Sequence, residues 1–320
     1  MNISVVIPAK DEEESIPELS DWIGRVMKTH GFSYEVIFID DGSQDKTWDK
    51  IREAAAKNPA IKGLRFNRNF GKSAALNTGF RAAQGDIVIT MDSDLQDSPD
   101  EIPKLYDMMM STDFHLISGW KKKRHDPISK TLPSKFFNAL TRMMSGIQLH
   151  DFNCGLKAYR NIVVKNITVY GEMHRYIPLL AKWAGFKKIG EKVVEHHERK
   201  YGKSKFGLER MRGILDVLTI TFIGKFSRRP MHFFGTWGVV SFLAGFILTM
   251  TILWEKIYWA WLHGPAPKRD VTEQPAFYLA LVFLLMGVQL FLTGFIAELV
   301  SRQSLSKRDY LVIESVGITG

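Results

Sequence analysis

A chain of 320 residues with one cysteine, Cys154, excludes an internal disulfide and any Cys-rich zinc site. The formal net charge of +9 is a local surplus, because residues 187–229 hold twelve Lys/Arg against five Asp/Glu. Such a patch suits nucleic acid or an anionic surface. Its place directly before a long apolar run favours membrane headgroups or a phosphorylated lipid, with no nucleic-acid partner.

Residues 3–7 read as a strand, and a helix pattern runs from near Glu14 to about His30. A second strand over 35–39 ends in Asp40-Asp41-Gly42-Ser43, followed by a helix over 45–57 and a short strand over 62–65. Residues 72–83 read as a helix, and 86–91 as the strand leading into Asp92-Ser93-Asp94. Helix and strand signals at 99–110 and 114–118 complete an α/β core with a largely parallel sheet. Beyond it, Lys121-Lys122-Lys123-Arg124 begins a basic loop, and 130–146 is an amphipathic helix. Residues 151–160 look turn-like, 171–184 helical and 187–197 extended. Over 206–226, Leu208, Met211, Leu215, Leu218 and Phe222 recur at helical spacing among charges, the pattern of a helix lying on a membrane surface.

Residues 233–254 and 276–297 each run without a charged side chain, long enough to cross a hydrocarbon core of about 30 Å. Lys225, Arg228 and Arg229 precede the first run and Arg302, Lys307 and Arg308 follow the second, which predicts both termini in the cytoplasm and an external loop. Trp254, Tyr258, Trp259 and Trp261 would form an aromatic belt at the outer interface. No signal peptide precedes the first strand, so the head is expected to stay cytoplasmic in a multi-pass protein of the cell (inner or plasma) membrane. The organisation expected is a head over 1–205, juxtamembrane helices over 206–232, two spans within 233–300 and a tail over 301–320. Self-association of the spans into a homo-oligomer fits this plan.

The chemistry centres on Asp92-Ser93-Asp94. A strand puts residues i and i+2 on one side, so both carboxylates would point one way where the strand leaves the sheet. Two hard oxygen ligands there suit a Mg²⁺ or Mn²⁺ that also touches substrate phosphates, although an isolated pair of this kind can simply be an acidic turn. Asp40/Asp41 and Asp151 fall at comparable places, and a doubly wound sheet gathers such ends along one edge. Gly71-Lys72-Ser73 and Gly202-Lys203-Ser204 lack the upstream glycine of a Walker loop, yet a lysine in such a loop suits a phosphate contact. His196 and His197, adjacent on a strand, point to opposite faces and read as structural.

Val6-Ile7-Pro8-Ala9-Lys10-Asp11-Glu12, Ile39-Asp40-Asp41-Gly42-Ser43, Asn69-Phe70-Gly71-Lys72 and Met91-Asp92-Ser93-Asp94-Leu95-Gln96-Asp97 occur in that order. Together they resemble the GT-A inverting glycosyltransferases of family 2, in particular polyprenyl-phosphate glycosyltransferases related to dolichol-phosphate mannose synthase. The resemblance covers residues 1–206, and the two spans match the bacterial membrane-anchored branch. It implies a Rossmann-like GT-A domain in which Pro8, Ala9 and Glu12 hold the base and ribose of a UDP- or GDP-linked sugar and Asp41 reads the base. Asp92 would face the ribose or the metal shell and Asp94 and Gln96 would hold the metal, with Lys72, from its own Gly/Ser loop, a candidate phosphate contact beside them. Asp151 falls near the acceptor. Lys130 and Ser134, with Lys121, would bind the lipid phosphate, and Arg199 and Lys203 match a basic segment closing over the phosphates. Lysines stand at 121 and 130 where relatives often have arginine, which keeps the charge and loses the bidentate fork.

The reaction implied is an inverting transfer of a hexose to a polyprenyl phosphate. That acceptor is largely dianionic at neutral pH, so it needs orienting more than deprotonating. A GT-A enzyme using a saccharide or lipid-linked saccharide acceptor, and a non-catalytic adaptor binding a nucleotide or anionic lipid, stay open as alternatives.

Overall fold

The computed structural model describes residues 1–122, 138–139, 141–143, 145–197, 200–201, 230–264 and 270–304. The chain divides into two compact units, residues 1–220 and 221–320. Lys130, Ser134, Arg199 and Lys203, the helix expected over 206–226 and the tail after 304 lie outside the described residues.

In the first unit, seven strands form one sheet in the order β3-β2-β1-β4-β6-β5-β7. They are β1 (Ile3–Ala9), β2 (Tyr34–Asp40), β3 (Ile61–Arg65), β4 (Ile87–Thr90), β5 (Leu116–Trp120), β6 (Lys157–Arg160) and β7 (Ile189–Val193). The helices α1 (Ser15–Thr29), α2 (Thr47–Lys57), α3 (Lys72–Ala82), α4 (Glu101–Ser111), α5 (Asn161–Lys165) and α6 (Ile177–Trp183) connect them. β1 lies between β2 and β4, parallel to both, and is buried on both faces, which is why it reads as an apolar run rather than an alternation. Ile3, Val5 and Ile7 share a hydrophobic core with Ile16, Leu19, Ile23 and Met27 of α1, each side chain contributing about 1.5–3 kcal/mol by its burial. β3 is one of the two edge strands, and its Lys62 and Leu64 are correspondingly exposed.

The sheet departs from the expected pattern at β6. Residues 151–160 are not a turn throughout: Lys157–Arg160 form a strand antiparallel to both β4 and β5. Its start therefore lies at the same edge as the ends of the other six strands, with Lys157 opposite Thr90. The helix expected over 171–184 begins as a 3₁₀ turn at Met173–Tyr176 and becomes α-helical only at Ile177, where Pro178 occupies the first turn.

The second unit is a helical hairpin of α7 (Pro230–His263) and α8 (Pro275–Ser304), both long and apolar enough to cross a membrane. α7 extends past the uncharged run, carrying Trp254, Tyr258, Trp259 and Trp261 on its last turns. Its buried Gly238, Gly245 and Ile252 repeat every seven residues, as do Ala280, Gly287 and Gly294 on α8. That period is the seam of a left-handed helix pair.

Candidate active site

At the ends of β1 and β2 two loops are laced together. Ser43 Oγ accepts the Asp11 N–H at 2.9 Å, Thr47 Oγ1 accepts the Glu12 N–H at 2.7 Å, and Asp11 Oδ1 accepts the Gln44 N–H at 2.9 Å. Asp11 takes a left-handed backbone, φ 48°, to make this exchange. Beneath, buried Asp40 pairs with Arg65 at 3.2 Å. Lys10, Asp11, Gly42, Ser43, Arg65 and Asn67 line a cavity of about 680 Å³, within the size range of small-molecule sites. Pro8 and Ala9 are the last two residues of β1, and Pro8 lines a second cavity shared with Lys72 and Asp92.

Asp41 sits beside this cavity with its carboxylate already engaged. It accepts the N–H groups of Phe70 at 2.7 Å and Gly71 at 3.0 Å, so it anchors the loop that delivers Lys72. Burial raises its pKa, and these two donors oppose that rise. Gly71, at φ 89°, supplies the left-handed turn that starts α3 and aims Lys72 back across the sheet edge.

Lys72 reaches Asp92 and forms an ion pair with it. Burial works against the Asp92 charge, but Lys72 and then Lys121 hold its carboxyl well below the usual carboxylate range. The two aspartates of the central motif are not presented by a strand, as the sequence suggested. β4 ends at Thr90, and the chain turns through Leu95 in a left-handed conformation, φ 60°. A branched side chain held there is strained, and such strain gathers at functional sites. Each carboxylate is placed by its own contacts: Asp92 by Lys72 and Gly155, and the buried Asp94 in part by the Gln96 N–H at 3.3 Å.

A polar cavity opens behind Asp92, lined by Lys72, Thr90, Asn153, Lys157 and His174 among others. Lys157 is buried and donates to the Cys154 carbonyl; burial lowers its pKa. Thr90 Oγ1 donates to the Gly155 carbonyl at 2.8 Å, tying β4 to the start of β6. His174 N–H donates to Ser73 Oγ at 3.0 Å, and its Nδ1 lies 3.2 Å from the same oxygen. Burial, with Lys72 and Arg175 nearby, drives its pKa well below the ordinary histidine value, so it is neutral. Cys154 is an inert thiol, its pKa pushed up to about 12 by burial.

Asp151 is buried just before β6. Glu191 of β7 accepts the N–H groups of His150 at 2.7 Å and Asp151 at 3.1 Å, and its second oxygen lies 2.7 Å from His150 Nδ1. The His150 ring stacks on Trp120 at 4.0 Å. Lys121 turns inward to Asp97, 2.8 Å away, with its side chain only 12% exposed.

The topology thus brings Asp41, Asp92, Asp94 and Asp151 to one sheet edge, with Lys72 spanning from the Asp41 loop to Asp92. Sequence reasoning missed Gly155, Lys157, His174, Asp97 and Glu191. Gly155 and Lys157 share one short segment with Asp151, and Asp97 ends the motif that begins at Met91, whereas His174 and Glu191 carried no signal.

The mixed sheet with its loops at one edge is a GT-A nucleotide-sugar transferase architecture, and comparison with known proteins agrees. Residues 4–168 match glycosyl transferase family 2, and the chain belongs to that family of glycosyltransferases. It is 33% identical to a dodecaprenyl-phosphate galacturonate synthase of Rhizobium johnstonii over 94% of this chain and 88% of that protein. It is 32% identical to an undecaprenyl-phosphate 4-deoxy-4-formamido-L-arabinose transferase of Aeromonas hydrophila, again over 94% and 88% of the two chains. Among solved structures, glucosyl-3-phosphoglycerate synthase of Mycobacterium tuberculosis, in complex with Mn²⁺ and UDP-glucose, superposes with a TM-score of 0.54. The match covers 69% of this chain and 78% of that one at 21% identity, a likeness of fold.

Proposed function

We propose that the protein transfers a sugar from a UDP- or GDP-linked donor to a polyprenyl phosphate, with inversion at the anomeric carbon. One observation carries the reading. Two relatives aligned over nearly the whole chain, hairpin included, are named as polyprenyl-phosphate sugar transferases. In this reading the lipid-facing α7–α8 hairpin sits in the cell membrane, with the head and both termini cytoplasmic.

Asp94 and Gln96, supported by Asp92, are the residues that would hold a Mg²⁺ or Mn²⁺. Among the described residues no group of three or more His, Cys, Asp or Glu side chains forms a cage. The donor set fits a hard divalent ion held by one or two carboxylates and completed by substrate phosphates. When bound, that ion neutralises charge on the departing nucleoside diphosphate. Pro8, Ala9, Glu12 and the Asp41-anchored loop hold the nucleoside, and Lys72 adds positive charge beside the diphosphate. The acceptor phosphate arrives as a nucleophile, and Asp151 orients it. Lys130, Ser134, Arg199 and Lys203 bind that phosphate and offset its repulsion from the donor.

The test uses membranes containing the protein, polyprenyl phosphate and a panel of labelled nucleotide sugars, with and without chelator. A lipid-extractable product from at least one donor, lost with chelator, supports the reading. Transfer only to a water-soluble saccharide, or no product from any donor, overturns it.

A further inference from the structure

The turn carrying Asp92 and Asp94 is held from behind by a residue that no reading of the motif singles out. Asp97 is fully buried. Its Oδ2 accepts the Asp92 N–H at 3.2 Å, and its Oδ1 lies 2.8 Å from Lys121 Nζ at the end of β5. Its main chain forms an antiparallel bridge with His196 beyond β7. Next to it, the Gln96 carbonyl accepts the His197 N–H at 2.9 Å and lies 3.2 Å from His196 Nδ1. A turn with a strained Leu95 does not keep one conformation unaided. Asp97 pins it at both its start and its end.

From these contacts we propose that Asp97 and Lys121 form a buried strut that fixes the Asp92–Gln96 turn. Lys121 is thereby a positioning residue for the donor diphosphate and its metal, not a contact to the acceptor phosphate. The inference rests on the glycosyltransferase reading above and moves Lys121 from the acceptor phosphate, where the resemblance puts it, to the donor side. The Lys121 side chain is 12% exposed, and its ammonium faces inward to Asp97 with the Asp92 carboxylate nearby, so the geometry directs its charge at the turn and not at an incoming phosphate. Burial opposes that charge, and the Asp97 carboxylate, with Asp92 nearby, raises the lysine's pKa against it.

Breaking a buried pair by removing one partner strands the other charge, whereas replacing both partners together is close to neutral. The experiment is calorimetric binding of UDP and of GDP, each with Mn²⁺, to purified Lys121→Gln, Asp97→Asn and the double variant, without acceptor. KM for polyprenyl phosphate is measured alongside. Each single variant is expected to weaken Mn²⁺-dependent nucleotide binding by about tenfold or more, and the double variant to recover to within about threefold of wild type. KM for polyprenyl phosphate should stay within about twofold in the double variant, which still lacks the lysine charge. Should a single variant fail to fold, the double variant still decides through its nucleotide binding and acceptor KM. Unchanged nucleotide binding in Lys121→Gln, or an acceptor KM raised equally in Lys121→Gln and the double variant, overturns the strut and leaves the proposed function standing. Failure of the wild type to bind either nucleotide overturns both.

Discussion

Gly155 lies directly against Asp92: a Cβ at residue 155 would come within 2.6 Å of one carboxylate oxygen and 2.8 Å of the other. The segment leading into β6 therefore forms a wall beside the carboxylate that pairs with Lys72. Gly155→Ala should push the carboxylate out of that pairing. Displacements of about 1 Å at a reacting centre cost roughly a hundredfold, so kcat/KM should fall by that order with the thermal midpoint little changed. Steady-state kinetics beside a melting curve check this. Activity equal to wild type would show that Asp92 does not depend on this wall.

His174 links the site to acid stability. Its folded pKa lies well below the ordinary value of about 6.5 that the unfolded chain regains, so between those two values the unfolded state binds more protons. Stability contributed by neutral His174 is present above about pH 6.5 and is lost as pH falls below it, by at most about 1.4 kcal/mol per pH unit. Melting temperatures from pH 7.5 to 5.5 should fall for the wild type and fall less steeply for His174→Gln. His115 is shifted in the same direction, so the difference between the two slopes, not the wild-type slope alone, is the readout.

The contrast between β1 and β6 shows what sequence carries. Ile3–Ile7, the amphipathic α1 and the acidic ends of β2 and β4 obey local periodicities, so their places were legible. β6 is four residues long, Lys-Ala-Tyr-Arg, and follows Asn153 and Gly155, so its local signal is that of a turn. It becomes a strand only because β4 and β5 offer it two antiparallel partners. His174 reaches Ser73 across 101 residues, and no spacing rule announces such a contact. Lys121 illustrates the opposite hazard. In a run of four basic residues it reads as part of a basic loop suited to an anion, yet β5 carries it inward to a buried carboxylate. The two long apolar helices were legible from composition alone, while α7 runs on to His263 because Glu255 and Lys256 are compatible with helix once past the apolar run.

The hairpin makes a separate prediction. A Cβ at Gly287 would lie 2.6 Å from the Phe242 backbone nitrogen and 2.8 Å from the Gly238 carbonyl oxygen, and backbone atoms cannot swing aside. Gly287→Val should destabilise the helix pair by about 1–3 kcal/mol or more. Leu285→Ala, at a side chain 62% exposed, should change it by less than about 0.5 kcal/mol. Thermal midpoints in detergent micelles compare them, and equal effects would show that the glycine seam does not set the packing.

The central claim is that a metal-assisted site on the Asp92–Gln96 turn passes a sugar to a lipid phosphate. It is tested most directly with purified protein in vesicles containing either polyprenyl phosphate or the free polyprenol, with labelled nucleotide sugar, chelator and Mn²⁺ readdition. Label should enter the organic phase only with the phosphorylated lipid and only with metal, and Asp94→Asn should abolish that transfer. Transfer to the free alcohol, transfer that survives chelation, or full activity in Asp94→Asn would contradict the account.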